Sequence, residues 1–446
     1  MASVNKQKDF ITGELTRLIL AENEEFANCD LVESKATTSP QLNGFMAIIF
    51  KLSIIVECQQ SRERKNYDLI VKLMKGSEDF RTWSKGFTQF GNEVFIYGKV
   101  IPAFGNFLKG RKTSIEWRKW APKVYYSYYG KVPALSDIPE SVLVMENISP
   151  FGFENTTSRL ELDLDHLFFM LKVISEYHAL SYAMRIENPD KLDKLVEGIV
   201  PLSYQDPGND KNLYDILHKI GLTRFLDFLD RRPDALVGKF KEEMEVLRRK
   251  YQNCPTKILD LLRRDDKPYS VIQHGDYNRN NVLFRYDETT KKPLEMRMID
   301  FQEVRYGSPA FDLSFFLYMN TSAAIREQSW EELLQYYHSN LLKCLKEILD
   351  CNETDDRLQV YSYEAFKQHF SRFAIYGVFI SAHFLPWMDC SEEECERLSH
   401  HFETDMKSQE FWDISMIAGG DKSNEKILSV AKHASNMGYM RFLLEE

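Results

Sequence analysis

Between residues 271 and 284 the chain reads VIQHGDYNRNNVLF, which packs a His, a Gly, an Asp and three Asn between apolar flanks. The surrounding pattern predicts strand, polar loop and strand, then a charged turn, a third strand ending in "MID", and "FQEVRYGSP". Asp276 and Asp300 thereby fall at strand-to-loop transitions in adjacent parts of one small sheet. A loop Asp followed five residues later by Asn281, with another Asp after a neighbouring strand, is what phosphoryl transfer requires. One carboxylate accepts the proton of an incoming hydroxyl, and an amide oxygen and a second carboxylate hold magnesium on nucleotide phosphates. Asp276 is the candidate base, and Asn281 and Asp300 are the candidate metal ligands.

Two kinds of element must position these groups. In the first third, a short amphipathic helix around residues 8–20 precedes β-branched runs at 44–57 and 67–74, joined as a hairpin by "SRERKN". A helical stretch at 84–100 stops near Pro102, and strand-like runs follow at 123–129 and 140–146. The polar connector "NISPFGFENTTSR" (147–159) marks the predicted boundary between residues 1–147 and 148–446. Beyond it, helical patterns occupy roughly 164–187, 211–230, 234–263, 327–350, 359–384 and 424–444, interrupted by the strand-rich island at 270–304.

Composition narrows the function. The 446 residues carry a formal charge of -10, with 67 acidic against 57 basic side chains. No stretch gathers enough Lys and Arg for a polyanion-binding face, so nucleic acid is not an expected partner. The seven cysteines are scattered without CxxC spacing, which argues against both a disulfide framework and a zinc site. The charged N-terminal stretch does not fit a signal peptide, and the apolar run at 373–387 is shorter than the ~18 residues a membrane span needs. A cytoplasmic protein without membrane association is the expectation.

"HGD" with Asn281 and the later "IDFQ" resemble the catalytic and metal-binding motifs of the choline and aminoglycoside kinase group, above all its ecdysteroid kinase-like branch. That resemblance implies a two-lobed α+β, protein-kinase-like fold: a small β-rich nucleotide-binding lobe and a large, mainly helical catalytic and acceptor-binding lobe. It implies ATP and Mg²⁺ in the cleft between them. It also implies that Lys72 in "LIVKLM" contacts nucleotide phosphates, that Glu93 in "FGNEVFIY" pairs with it, and that Met145 and Glu146 line an adenine pocket. A nucleotide-covering loop is expected near Gly44. His178 in "EYHALSY" and Asp312 in "GSPAFDLSFFL" match further family positions. With His274, both read as residues that pack and hold the catalytic loop rather than as catalysts.

The chain departs from the family pattern at three places. Only Gly44 stands where a multi-glycine run is common, Asn278 stands where many relatives have Trp, and Glu146-Asn147 replaces a frequent acidic pair. The aromatic-dense stretch at 366–384 reads first as helix core, and second as the wall of an apolar acceptor pocket. The expected activity is ATP-dependent phosphorylation of a hydroxyl on a lipophilic small molecule, an ecdysteroid-like steroid or xenobiotic alcohol. The alternative is a catalytically silent, kinase-shaped protein that binds a lipophilic ligand.

Overall fold

The computed structural model describes residues 3–38, 46–158, 160–203, 212–262 and 267–445. Its first part is a five-stranded antiparallel sheet of β1 (Cys29–Thr38), β2 (Ala47–Cys58), β3 (Arg64–Met74), β4 (Val124–Lys131) and β5 (Pro139–Glu146), in the order β1-β2-β3-β5-β4. β2 and β3 form the expected hairpin, in register from Ala47 opposite Met74 to Glu57 opposite Arg64. Side-chain alternation gives the sheet two faces. On one, Phe50, Leu52, Val71 and Leu73 pack against Ile11, Leu15 and Ile19 of the N-terminal helical segment. On the other, Lys72 lies opposite Leu143, and Ile70 opposite Met145.

β1 was not predicted. None of its residues is buried, so "CDLVESKATT" carries no apolar alternation, and the strand is held by its ladder to β2.

The rest of the chain is mainly helical, which makes the fold α+β and two-lobed. The long helices Leu164–Glu187 and Ala323–Leu349 pack together, and Ile375–Asp389 packs against both Ala310–Asn320 and Leu213–Asp230. Two predicted helices are broken. The 234–263 pattern splits into Gly238–Tyr251 and Thr256–Leu262 around Pro255, which lacks the N–H that a continuous helix would use. The 359–384 pattern splits at Ala374 into Tyr363–Phe373 and Ile375–Asp389. Glu392–Thr404 was missed because only Leu398 and Phe402 of its residues are buried.

The strand-rich island also differs from expectation. β6 (Phe153–Glu154), β8 (Val282–Tyr286) and β9 (Pro293–Met298) form one small sheet, whereas β7 (Val271–Ile272) pairs separately with β10 (Tyr306–Gly307). Asp276 and Asp300 therefore lie between two ladders rather than along one sheet. A further apolar cluster spans the lobes, joining Met74, Phe80 and Phe90 to Leu217, Phe402 and Phe411, and Lys75 pairs with Glu403 beside it. The seven cysteines, all among the described residues, form no disulfide. Among the described residues, no helix is long and apolar enough to cross a membrane.

Candidate active site

The loop after β7 is shaped by its surroundings. Gly275 has φ +87°, and a Cβ there would stand 1.9 Å from the Glu303 carbonyl oxygen, so a side chain is excluded. The backbone N–H groups of His274 and Gly275 donate to Asp312 Oδ2 and Oδ1 at 2.7 and 2.8 Å. Asp312 Oδ2 is also 3.1 Å from His178 Nε2, and His178 Nδ1 lies 2.9 Å from the Tyr337 hydroxyl. Burial opposes the Asp312 charge, but His178, His274 and the Gly275 amide outweigh it and hold the carboxyl below its usual range. His274 donates through Nε2 to the Ile299 carbonyl at 3.1 Å, and burial lowers its pKa. His178, His274 and Asp312 thus fix the loop from behind.

In front of them, two amides hold the Asp276 carboxylate. Asn281 Nδ2 donates to Oδ2 at 2.7 Å, and Asn278 Nδ2 donates to Oδ1 at 2.8 Å. Asn278, a departure from the family pattern, therefore orients the candidate base. Burial raises the Asp276 pKa, the charges of Asp300 and Glu303 add to this, and the two amides only partly offset them, leaving it at about 7. A carboxyl poised there can accept and return a proton near neutral pH.

Lys72 joins the two lobes. Its Nζ donates to Glu93 Oε1 at 2.9 Å, on the helix Gly86–Phe95, and to Asp300 Oδ1 at 2.8 Å. Burial disfavours the Lys72 charge, but Asp300 and Glu93 outweigh it and its pKa rises. Burial in turn pushes the Glu93 carboxyl up to about 7 against the pull of Lys72. Asp300 adopts the left-handed conformation, φ +66° and ψ 62°, which is uncommon for a residue with a side chain and characteristic of functional sites. Its side chain keeps 30% exposure, whereas Lys72 and Glu93 are buried.

A second polar network, which sequence reasoning missed, ties the lobes at Glu303. Its Oε1 accepts from Gln89 Nε2 and from the Tyr214 hydroxyl, each at 2.6 Å. Its Oε2 accepts from Arg305 at 2.7 Å, and Arg305 also reaches the Tyr376 hydroxyl at 3.1 Å. The one available signal was a third carboxylate only three residues past Asp300.

These groups line a cleft of about 350 Å³. Lys72, Asp276, Asn281 and Asp300 meet there, and Glu93 stands behind Lys72. The far wall is apolar and comes largely from Ile375–Asp389 through Ile380, Phe384, Trp387 and Met388, with Phe315 and Phe402 beside them. The core reading of the aromatic stretch thus holds for Phe366, Phe370, Phe373 and Phe379, while the following helix turns Tyr376, Phe384 and Trp387 to the cleft. Met145 and Glu146 are not part of this lining. Met145 shares the Lys72 face of the sheet, and the Glu146 N–H donates to the Lys123 carbonyl at 2.8 Å. Gly44 lies outside the described residues.

The donor set suits a magnesium ion only in company. Among the described residues, no group of three or more His, Cys, Asp or Glu could hold a metal alone. Asp300 and Asn281 supply two oxygens, and the uncompensated charge that raises Asp276 is of the kind a divalent cation would neutralise. Magnesium commonly takes one or two protein ligands and completes its shell with phosphate and water.

A strand lysine tied to a helix glutamate, an Asp-Asn loop and a second Asp after a strand define the kinase-like class. The chain belongs to the ecdysteroid kinase-like family, whose model matches residues 41–349. Similar solved structures include the GDP and kanamycin complex of APH(2″)-IIia, at 11% identity over 83% of this chain and 90% of that one with a TM-score of 0.35. Another is the GDP complex of wild-type aminoglycoside 2′-phosphotransferase-IIIa, at 11% identity over 95% and 98% with a TM-score of 0.36. No curated protein matches the sequence.

Proposed function

We propose that the protein is an ATP-dependent small-molecule kinase that transfers the γ-phosphoryl group to a hydroxyl of a lipophilic acceptor, an ecdysteroid-like steroid or a xenobiotic alcohol. The observation that carries this reading is the convergence on one cleft of Lys72, bridged to Glu93 and Asp300, with Asp276 gripped by two amides. Asp276 accepts the proton as the acceptor oxygen attacks the γ-phosphorus and ADP departs. Lys72 offsets phosphate charge, and Glu93 keeps it in place. Asp300 and Asn281 would hold Mg²⁺, which when bound neutralises charge on the phosphates. The apolar wall supports the lipophilic acceptor, because such surface loses affinity for strongly hydrated ligands and gains it for apolar ones.

The test is incubation with MgATP and a pooled panel of ecdysteroids, sterols and plant phenolic alcohols, followed by mass spectrometry for phosphorylated products. Asp276→Asn serves as control. A product made only by the unsubstituted protein supports the kinase. No product together with no thermal stabilisation by MgATP would favour a silent binding protein.

A further inference from the structure

The apolar end of the cleft contains a buried histidine that phosphoryl transfer does not use. His383 sits on the helix Ile375–Asp389, lines the cleft and is 4% exposed. Its place is fixed by a close helix crossing: a Cβ on Gly221 would stand 3.0 Å from the Ala382 carbonyl oxygen and from the His383 backbone. The ring lies among aromatics, with centroids 4.6 Å from Phe384, 5.5 Å from Trp387 and 5.7 Å from His218. Burial pushes its pKa down to about 3. The imidazole is therefore neutral, with one ring nitrogen a donor and the other an acceptor.

Among the described residues, no hydrogen bond or ion pair reaches either ring nitrogen of His383. Neither nitrogen is among the enclosed polar side-chain atoms that lack a partner, so both stay open to the cleft rather than sealed in the interior. A ring that faces a cavity can be satisfied by whatever fills it. We infer that His383 is a specificity-determining residue, which hydrogen-bonds a hydroxyl or carbonyl oxygen on the lipophilic acceptor, remote from the hydroxyl that faces Asp276. The acceptor would then carry at least two oxygen functions on an apolar body. The inference rests on the proposed use of this cleft for the acceptor. A site that offers a hydrogen bond discriminates strongly against an analogue lacking the matching group.

The experiment uses rigid polycyclic diols and hydroxyketones, each paired with the analogue lacking one oxygen, oestradiol and 3-deoxyoestradiol among them. Binding is measured by calorimetry on the full chain and on His383→Leu and His383→Gln, with phosphorylated product followed in parallel. The unsubstituted protein should prefer the two-oxygen member of at least one pair by about tenfold, the size of one hydrogen bond. His383→Leu should abolish that preference, and His383→Gln, which keeps a donor and an acceptor, should retain part of it. Thermal stabilisation by MgATP should be equal in all three, which shows that the variants fold.

Retention of the preference by His383→Leu overturns the inference, as does the absence of any preference in the unsubstituted protein. Loss of preference in His383→Leu, with neither phosphorylated product nor thermal stabilisation by MgATP in the unsubstituted protein, would leave the His383 assignment standing and remove the kinase reading. Phosphorylated product with discrimination independent of His383 would do the reverse.

Discussion

At one end of the cleft, Lys72 bridges Glu93 and Asp300 through charge-assisted hydrogen bonds, and Asn281 holds the Asp276 carboxylate beside them. At the other, Phe315, Phe384, Trp387 and Met388 present carbon, and His383 lies among them as a neutral ring. The first set lies wholly within the segment that matches the family model, whereas the helix supplying most of the second lies beyond residue 349. Phosphoryl transfer fixes the types and placement of its groups, since charge must be met at defined points. Apolar recognition demands only shape and area, so many sequences can build it.

The largest effect that would sharpen this division is that of Asp276→Asn. Turnover should fall by roughly 10² to 10⁴, the usual size of a general-base contribution, while the MgATP-induced rise in melting temperature persists. The same change should stabilise the ligand-free protein at pH 8. The Asp276 carboxyl titrates near 7 when folded, against about 3.9 unfolded. Between those values the folded state binds the extra proton, so the unsubstituted protein loses stability as pH rises through that window, by at most about 4 kcal/mol. Melting curves of the two proteins should converge below about pH 4, and a variant less stable at pH 8 would contradict the raised pKa.

Asp300→Asn should act on nucleotide rather than on the proton, abolishing stabilisation by MgATP where Asp276→Asn preserves it. Matching losses of MgATP stabilisation in both variants would collapse the assignment of separate roles.

Gly275→Ala tests the backbone beneath both residues. With a Cβ 1.9 Å from the Glu303 carbonyl and φ +87°, the loop must move, and a loss of about 3 kcal/mol or more in denaturant unfolding is expected. An unchanged midpoint would mean that the loop is not so tightly pressed.

Trp387→Ala probes the apolar end. It should raise the KM for acceptor by roughly tenfold or more and leave the KM for ATP within about twofold, because the lost area contacts only one substrate. A parallel rise in the KM for ATP would show that the two ends of the cleft are not separable. The smallest expected effect is that of Glu303→Gln. Removing one of the charges that raise Asp276 should move the acid limb of the pH–rate profile to lower pH, by a few tenths of a unit to about one unit. An unmoved limb would confine Glu303 to bridging Gln89, Tyr214 and Arg305.

Much of the charged end was legible because its groups are few, chemically unusual and placed by short-range rules. Asp276 and Asn281 are five residues apart on one loop, Asp300 follows a strand, and Lys72 lies on a strand with Glu93 on a helix 21 residues further along. Asn278 was seen only as a departure, since its bond to Asp276 depends on how the loop closes. Glu303 and Gln89 escaped notice because they are 214 residues apart and meet only through the packed lobes.

The sequence by itself determined the sheet-rich first part with its β2–β3 hairpin, the helical remainder and the residue types able to transfer a phosphoryl group. These follow from local periodicity, turn chemistry and short spacings. Only the tertiary structure decided that β7 pairs with β10 rather than with its neighbours, that Ile375–Asp389 turns its aromatic face to the cleft, and that His383 ends there among aromatic rings. Aromatic spacing looks the same whether a helix faces a core or a cavity. What separates the two is which distant helices pack against it, and that depends on contacts between residues well over a hundred positions apart, such as Gly221 against Ala382.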